Sequence, residues 1–482
     1  MKFETVIGLE VHVELQTQCK MFCGCAVVDS TIALPNRYTC PVCTGQPGAL
    51  PVINNRVIEL AIRVGLALNC DIHEISIFAR KNYFYPDLPK GYQITQYEFP
   101  IATNGWIDID TENRKRIGIR RVHIEEDTGK MIHIENDSLI DYNRSGVPLL
   151  EIVTEPHIHS AEDTVTFANR LRDILRYLGV NSGDMEKGVI RFEANVSVRN
   201  EGSNDLNTRT EIKNLNSFRS LSAGIEYEID RQSKIYAEGG IVDQETLGFN
   251  QTLGTTYSQR EKENAHDYRY FPEPDLPPLR LDRSWINSIK AQLPELPYVK
   301  INRFITDYEL KEQEARLLAS DRSLADFFEQ VASKSINSAR IVYPWIAGEF
   351  MHQVNELGVD LDQIPIPADS LAKLIDMVAD KTISGNAGRV VLAEMFISNG
   401  DPVQIVNEKN LIQVSDKLYI QQVVTNILND NPKEVEQYLA GKENILQWFL
   451  GQIARATQGK ADPLIARELL VKALDNSRAI RK

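Results

Sequence analysis

Two acidic residues and a histidine alternate with apolar residues near the start of the chain. Within residues 8–15, Glu10, His12 and Glu14 are separated by valines. Alternate side chains of a β-strand point to the same face, so these groups are about 7 Å apart on one polar face. Carboxylates and an imidazole in this pattern can bind a divalent cation or transfer a proton. The alternative is a surface strand whose polar face is solvated.

Five of the six cysteines lie within a short stretch that also suggests a metal site. Cys23 and Cys25 form one close pair, and Cys40 and Cys43 form a second. Four thiolates complete the tetrahedral shell of zinc and leave no open position, so we expect a structural Zn²⁺ site. Cys19 is a spare thiol that can replace one of the four. Reduced cysteines without a metal are the alternative.

Three further carboxylates are candidates for the same polar chemistry. Glu151 interrupts the apolar segment 149–153, and Glu125 and Glu126 begin a polar segment. An unpaired buried carboxylate is costly, so Glu151 needs a partner. A metal ion and a salt bridge are both possible partners.

Alternating segments predict the strands that position these groups. Residues 190–199 alternate strictly, residues 208–213 repeat the pattern, and residues 117–124 alternate with a slip at Arg120 and Arg121. An antiparallel sheet with one apolar face covered by helices fits this pattern, which predicts an α+β fold. The charged face carries both signs, which suits phosphate and metal together; a solvated face is the alternative. Its charged candidates are Arg191, Glu193, Glu211 and Lys213.

The segment 80–94 combines basic and aromatic residues with two prolines, which exclude a regular element. Cations such as Lys81 can meet phosphates, and aromatic rings can stack on bases, so the segment suits a nucleotide or an RNA end. A packed aromatic loop is the alternative.

Helical patterns and prolines indicate the domain organisation. Residues 54–69 and 216–236 predict helices, and Ser160 predicts the N-cap of another. Prolines between 272 and 297 mark the end of the first domain, after which the chain becomes helical. We expect a first domain at 1–294 with the cysteine cluster at 23–43, an all-helical domain at 295–405, and a small helical tail at 406–482.

Composition narrows the function classes. The 482 residues carry a net charge of −14, which argues against a general nucleic-acid coat. From Arg455 onward, however, the sequence contains seven basic and three acidic residues, and this local excess of positive charge suits contact with a phosphate backbone. No apolar segment is long enough to span a membrane and no leader is evident, so we expect a cytoplasmic protein. No Walker A motif is present, so a bound nucleotide depends on carboxylate-held Mg²⁺ and separate cations.

Seven segments carry a family resemblance. They are GLEVHVEL (8–15), RKNYFYPD (80–87), GYQI (91–94), EEDTGK (125–130), NRSGVPL (143–149), KNLNSF (213–218) and YRYFPEPD (268–275). In this order they closely resemble the B subunits of aspartyl/glutamyl-tRNA amidotransferases. The resemblance implies a cradle domain built on an antiparallel sheet, followed by a helical domain and a small helical tail that contacts tRNA.

The resemblance also implies an activity and partners. The cradle would use ATP and Mg²⁺ to phosphorylate the side-chain carboxylate of Glu-tRNA(Gln) or Asp-tRNA(Asn). Ammonia made by an amidase A subunit would then displace the phosphate, and a small C subunit would complete a heterotrimer. The chain has no Ser-Ser pair for an amidase of its own. A zinc-containing RNA-binding protein without catalysis is the alternative function.

Family positions transfer to this chain by matched motif. His12, Glu126 and Glu151 correspond to the metal ligands, with Glu10 and Glu125 beside them; Glu126 is favoured over Glu125. The further candidates for facing phosphate or the tRNA end are Lys81, Arg191, Glu193, Glu211 and Lys213, of which the three cations would contact the cofactor. The four-cysteine zinc cluster occurs in some members of the family, and this chain has the complete set.

Overall fold

The computed structural model describes residues 2–109, 115–135, 137–261, 267–413, 417–457 and 459–480. The chain divides into two compact units, Met1–Leu296 and Pro297–Lys482. A large sheet with helices forms the first unit, and the second is helical.

The first unit contains sixteen strands and four helices among its described residues. The strands are β1 (Phe3–Glu14), β2 (Asp71–Ile72), β3 (Ile75–Ser76), β4 (Phe78–Asn82), β5 (Tyr92–Gln96), β6 (Ala102–Asp108), β7 (Arg116–Glu126), β8 (Lys130–Ile134), β9 (Asp137–Asp141), β10 (Pro148–Thr154), β11 (Ile190–Asn200), β12 (Thr210–Leu215), β13 (Glu245–Asn250), β14 (Thr255–Glu261), β15 (Phe271–Pro272) and β16 (Leu279–Arg280). The helices are α1 (Asn55–Ala67), α2 (Ala161–Tyr177), α3 (Phe218–Ala237) and α4 (Arg283–Ala291).

Strand β1 lies at the centre of a nine-stranded sheet. The strand order is β14-β13-β12-β11-β1-β10-β7-β6-β2, and β1 pairs antiparallel with both β11 and β10. The parallel pair β12 and β13 departs from the antiparallel sheet that the sequence predicts. Three smaller groups contain β15-β4-β5, β16-β3 and β8-β9.

The two faces of β1 have different neighbours. Leu9, Val11 and Val13 are buried in the main hydrophobic core, whereas Glu10 and His12 are only half-buried on the other face. Helices α1 and α3 contact the sheet, and α2 packs against α3. The side chain of Ser160 accepts the N–H of Asp163, as expected for the N-cap of α2. Helices therefore cover the apolar face and leave the polar face of the sheet for a site.

A β-bulge interrupts the alternation of side chains along β7. The register against β10 shifts between Val153 and Thr154, which face Arg121 and Ile119, so Arg120 is the extra residue. This accounts for the slip in the sequence pattern. It also places His123 and Glu125 on the same face as the polar side chains of β1.

Among its described residues, the second unit contains two separate hydrophobic cores. The first core consists of buried hydrophobic residues between Phe304 and Val406, and the second of buried hydrophobic residues between Ile420 and Leu474. The division expected at 405/406 falls inside a helix whose Ile405 and Val406 both belong to the first core. The helices are α5 (Pro297–Asp307), α6 (Glu312–Leu318), α7 (Arg322–Lys334), α8 (Ala339–Pro344), a π-helical turn (Trp345–Phe350), α9 (Met351–Leu357), a 3-10 turn (Leu361–Gln363), α10 (Ala368–Ala379), α11 (Gly385–Ser398), α12 (Pro402–Glu408), α13 (Lys417–Asp430), α14 (Pro432–Leu439), α15 (Ile445–Ala456) and α16 (Pro463–Ile480). Within the described ranges, no helix has the length and apolar character needed to cross a bilayer.

Candidate active site

A cavity of about 550 Å³ opens on the polar face of the nine-stranded sheet. Strand register brings its central residues together: His12 on β1 lies opposite Glu151 on β10, which lies opposite His123 on β7. Of the ten predicted site residues, eight line this cavity. They are Glu10, His12, Lys81, Glu125, Glu151, Glu193, Glu211 and Lys213.

The first cluster in the cavity consists of His12, Glu125 and Glu151. The Nε2 atom of His12 lies 3.6 Å from Oε1 of Glu125 and 3.5 Å from Oε2 of Glu151. His123 is close behind, with its Nε2 atom 3.2 Å from the same oxygen of Glu151. Thr95 donates its hydroxyl to Glu125 at 3.3 Å. One imidazole and two carboxylates thus converge on a single point.

Protonation of this cluster follows from its burial and charge. Burial opposes the charged form of His12, but the hydrogen bond and charge of Glu151, with Glu193 and Glu125, raise its pKa to about 9. Burial likewise opposes ionisation of Glu151, yet His123 and His12 hold its pKa well below the usual value. Without a metal, His12 is therefore protonated at neutral pH and offsets part of the charge of the two carboxylates.

Glu126, the residue that the sequence comparison favoured, does not lie in this cluster, and Glu125 lies beside His12 instead. Adjacent residues of a strand point to opposite faces, so only one of the two can face His12. Glu126 is buried, and its carboxylate accepts hydrogen bonds from the ammonium of Lys90 and from the N–H of Ile94, the latter at 3.0 Å. These contacts fix Glu126 in an ion pair on the other side of β7.

The second cluster consists of Glu10, Glu193 and Glu211, from β1, β11 and β12. One oxygen from each lies within 4.8 Å of the others. Lys213 lies 2.8 Å from Glu193 and 3.3 Å from Glu211, and Asn195 donates to Glu10 at 3.0 Å. The cluster is therefore three carboxylates with one bound ammonium.

Charge crowding shifts the pKa values of this second cluster and its surroundings. Burial, with the charges of Glu151, Glu193 and Glu211, raises the pKa of Glu10. Burial disfavours the charged form of Lys213, but Glu193 and Glu211 outweigh it and raise its pKa. Within the second cluster three carboxylates face a single ammonium, and this local excess of acidic groups favours a divalent cation.

Lys81 supplies the second ammonium of the cavity. Its Nζ atom lies 5.0 Å from the centre of the Tyr268 ring and 5.8 Å from that of Tyr83. Burial opposes its charge, but Glu125, Tyr270 and Tyr83 outweigh that effect and raise its pKa. Lys81 is thus a fixed cation between the carboxylates and a group of aromatic rings.

Arg191, a predicted cofactor ligand, is not among the described residues that line the cavity. It lies opposite His12 in the β1–β11 register, but its guanidinium binds Asp127 at 2.9 Å. Asp127 itself is buried, and burial opposes its charge, but Arg191 and Arg144 lower its pKa. Arg191 therefore neutralises a buried carboxylate at the edge of the site.

The sequence patterns missed several groups in the cavity. His123 precedes Glu125 by two residues, so strand alternation was the available signal for it. Its Nδ1 atom is buried and has no hydrogen-bond partner among the described residues. Distant segments contribute the other polar and aromatic lining residues, of which Arg121, Asn195 and Arg209 carry the same signal, since each lies two residues from His123, Glu193 or Glu211. These other lining residues are Tyr85, Thr95, Gln96, Tyr97, Arg121, Asn195, Arg209, Thr246, Gln259, Tyr268 and Tyr270.

The donor atoms of both cavity clusters suit a hard divalent cation. Carboxylate oxygens are preferred ligands of Mg²⁺ and Mn²⁺, and the first cluster adds one imidazole nitrogen. The separations of 3.5 and 3.6 Å around His12 are close to the roughly 3 Å between neighbouring ligands of an octahedral Mg²⁺. Small side-chain movements suffice to form the shell.

The four paired cysteines form a separate cluster, as their spacing predicted. The sulfur atoms of Cys23, Cys25, Cys40 and Cys43 all lie within 4.8 Å of one another, and Cys19 is not part of the group. A tetrahedral zinc with bonds of about 2.3 Å separates its sulfurs by about 3.8 Å. The 3.9 Å between the sulfurs of Cys40 and Cys43 matches that value. The geometry therefore fits zinc.

Comparisons with known proteins agree with these features. Residues 5–287 match the family model of the GatB/GatE catalytic domain, and residues 326–474 match that of the GatB domain. The B subunit of the aspartyl/glutamyl-tRNA(Asn/Gln) amidotransferase of Caldanaerobacter subterraneus subsp. tengcongensis is 48% identical over 476 residues, which cover 98% of this chain and 100% of that protein. The B subunit of the same name from Persephonella marina is 46% identical over 475 residues, with the same coverage. The resemblance indicated by the motifs is confirmed, and the chain belongs to the GatB/GatE family.

Proposed function

We propose that this chain is the B subunit of a tRNA-dependent amidotransferase and carries its ATP-dependent step. The substrates are ATP and Glu-tRNA(Gln), Asp-tRNA(Asn) or both, and the products are the corresponding Gln-tRNA or Asn-tRNA. The observation that carries the proposal is the cavity with two carboxylate clusters and two lysines. The names of full-length relatives support the substrate class.

The proposed reaction has two balanced steps. First, a side-chain carboxylate oxygen of the esterified amino acid attacks the γ-phosphorus of ATP, the bond to the bridging oxygen breaks, and ADP leaves. Second, ammonia attacks the carbonyl carbon of the acyl phosphate, and phosphate leaves as the nitrogen loses a proton. The attacking carboxylate is already ionised, so the first step depends on position and charge neutralisation more than on a strong base.

The residues of the cavity have distinct tasks in this proposal. His12, Glu125 and Glu151 would hold one Mg²⁺, and Glu10, Glu193 and Glu211 offer donors for a second cation. When bound, Mg²⁺ would neutralise phosphate charge and orient the transferred group. Lys81 and Lys213 line the cavity as ammonium groups and would contact phosphate oxygens directly. The cavity walls would limit hydrolysis of the acyl phosphate.

The cysteine cluster has a structural task in this proposal. Four thiolates leave zinc no open position for a substrate, and the cluster contributes no residue to the cavity with the carboxylate clusters. Hydrogen bonds tie the same segment to the turn before β10: Tyr38 N–H donates to Asn143, and Ser145 donates to the carbonyl of Cys43. Zinc would therefore stabilise the turn that leads to Glu151.

The proposal requires partners that this chain does not contain. An amidase A subunit would supply ammonia, and a small C subunit would complete the heterotrimer. Misacylated tRNA would contact the cavity through its aminoacylated end and the helical tail through its body, where the basic residues are concentrated. We expect the complex to function in the cytoplasm.

Phosphate transfer in the assembled enzyme tests the proposal. With Glu-tRNA or Asp-tRNA present, Mg²⁺-dependent release of ADP should rise, and His12→Ala and Glu151→Gln should lower it by about 10²-fold or more. His133→Ala is the matched control, because His133 is exposed on the β8–β9 hairpin. If aminoacylated tRNA does not stimulate ADP release in the intact enzyme, the catalytic proposal is wrong and an RNA-binding role is favoured.

A further inference from the structure

A second, more open cavity of about 1070 Å³ adjoins the cavity with the carboxylate clusters. The two share Lys81, Tyr85 and Tyr268 as lining residues. Five aromatic residues contribute to the walls of the second cavity, which we name the aromatic cavity. They are Tyr83, Phe84, Tyr85, Tyr268 and Phe271.

The aromatic cavity is built on a fixed backbone. Asn82, at the end of β4, donates its amide to the carbonyls of Tyr268 at 3.1 Å and Arg269 at 2.9 Å. Its own N–H also donates to Tyr268 O at 3.0 Å. The rings of Tyr83 and Tyr268 meet edge to face at 6.0 Å. Two distant segments of the chain are thus joined where the rings cluster.

Two rings on this backbone are not packed into the protein. Phe84 is 90% exposed and Tyr85 is 51% exposed. A loop that served only to pack aromatic residues would bury them, since each ring gains about 1.5–3 kcal/mol on burial. Large exposed rings on an ordered support are typical of a binding surface.

Asp87, which lines the same cavity, carries an unsatisfied acceptor. Oδ2 of Asp87 accepts the hydroxyl of Thr128 at 3.1 Å, whereas its Oδ1 atom is buried without a hydrogen-bond partner among the described residues. A buried polar atom that lacks a partner is uncommon and needs an explanation. A carboxylate oxygen accepts from N–H and O–H donors, such as the amino group of adenine or a ribose hydroxyl.

We propose that the aromatic cavity binds the 3′-terminal adenosine of the aminoacylated tRNA. The proposal rests on the proposed function, because the amino acid esterified to that ribose must reach the adjoining cavity with the carboxylate clusters. An open platform of exposed rings suits an unstacked base at the end of a single strand. The adenine of ATP is the competing occupant, but pockets for small cofactors usually enclose most of the ligand.

The test combines a variant that lacks the ring of Phe84 with a tRNA that lacks the 3′-terminal adenosine. Uncharged tRNA and the same tRNA lacking only its 3′-terminal adenosine are compared as inhibitors of the assembled enzyme, with and without Phe84→Ala. In the unmodified enzyme, the truncated tRNA should inhibit about 5- to 150-fold more weakly, the range of one base–ring contact. In Phe84→Ala the two tRNAs should differ much less, because the ring that reads the adenosine is gone.

Two controls separate this inference from the proposed function. Phe99→Ala removes a half-exposed aromatic ring that lines neither cavity, and it should preserve the full difference between the tRNAs. The KM for ATP should stay within about twofold in Phe84→Ala. An unchanged difference between the tRNAs, or a KM defect for ATP alone, overturns the adenosine assignment while ADP release stimulated by aminoacylated tRNA still supports the proposed function.

Discussion

Mg²⁺ binding at His12, Glu125 and Glu151 should release a proton. The pKa of His12 is raised to about 9, so at pH 7.5 the metal-free imidazole is mostly protonated. A nitrogen ligand must be unprotonated to bind a metal. We therefore expect about one proton to be released per Mg²⁺ bound at pH 7.5.

The same shift sets the size of the pH effect. As the pH increases toward about 9, Mg²⁺ affinity should rise roughly tenfold per pH unit. Each unit lowers the proton concentration tenfold, and protons compete with Mg²⁺ for the imidazole nitrogen of His12. The folding stability of the metal-free protein should change in the opposite direction and fall as the pH increases. A raised pKa stabilises the fold below about pH 6.5, and that contribution, on the order of 3 kcal/mol, is lost as pH rises to about 9.

Isothermal titration calorimetry in two buffers of different ionisation enthalpy measures the released proton directly. The useful comparison is between pH 7.5 and 8.5, because burial and Asp127 raise the pKa of Glu14 only to about 7. His12→Asn keeps an oxygen ligand but has no proton to release, so its Mg²⁺ affinity should be weaker and nearly independent of pH. Proton release below about 0.3 per metal at pH 7.5 would refute the reasoning, as would a flat affinity in the unmodified protein.

Three further predictions follow from the two metal-type clusters and the tail. Glu125→Gln should weaken Mg²⁺ binding about tenfold or more, measured by calorimetry. Glu126→Gln should change Mg²⁺ binding less than twofold and should instead lower the unfolding temperature. Equal effects of the two variants on Mg²⁺ binding would contradict the assignment of Glu125 as the ligand. Elemental analysis should find one zinc per chain, and Cys40→Ser should lose it; a folded native protein without metal would contradict the zinc site. A chain that ends at residue 413 keeps α12 and the first core of the second unit, so its circular dichroism should remain that of a folded protein. Because it lacks the basic tail, it should bind tRNA more weakly in a filter assay. Unchanged affinity would exclude a contact between the tail and tRNA.

Sequence alone predicted the elements whose periodicity was complete. Residues 190–199 alternate without a break, and β11 covers Ile190–Asn200. Residues 216–236 carry a helical pattern, and α3 covers Phe218–Ala237. In both, one face is buried and the other is polar, so the local pattern contains the information needed to assign the element. The same reasoning placed Glu10 and His12 on one face of β1.

Information that depends on pairing between distant strands was absent from these patterns. The choice between Glu125 and Glu126 depends on the bulge at Arg120, which sets the face that each residue of β7 occupies. The parallel pairing of β12 with β13 depends on sheet order, which no single segment encodes. Arg191 has the expected strand position, but a buried acid from another segment, Asp127, determines the direction of its guanidinium.

A buried lysine beside the cysteines leads to a final prediction. Lys20 is fully buried, and its ammonium donates to the sulfur of Cys43 at 3.5 Å and to the carbonyl of Tyr142 at 3.2 Å. Among the described residues, no carboxylate lies within 4.0 Å of this ammonium, so a thiolate is the anion available to balance it. Four thiolates with Zn²⁺ carry a net charge of −2, which one ammonium halves.

Lys20→Met should therefore speed zinc loss by about tenfold or more, since it removes a hydrogen bond to a ligand sulfur and leaves the remaining charge uncompensated. Zinc release into a chromogenic chelator measures the rate in the folded protein. Lys187→Met is the matched control, because Lys187 is exposed and pairs with Asp29 in the segment between the two cysteine pairs. Equal release rates in the Lys20 variant and the unmodified protein would mean that Lys20 only fills space between the cysteine cluster and the turn before β10.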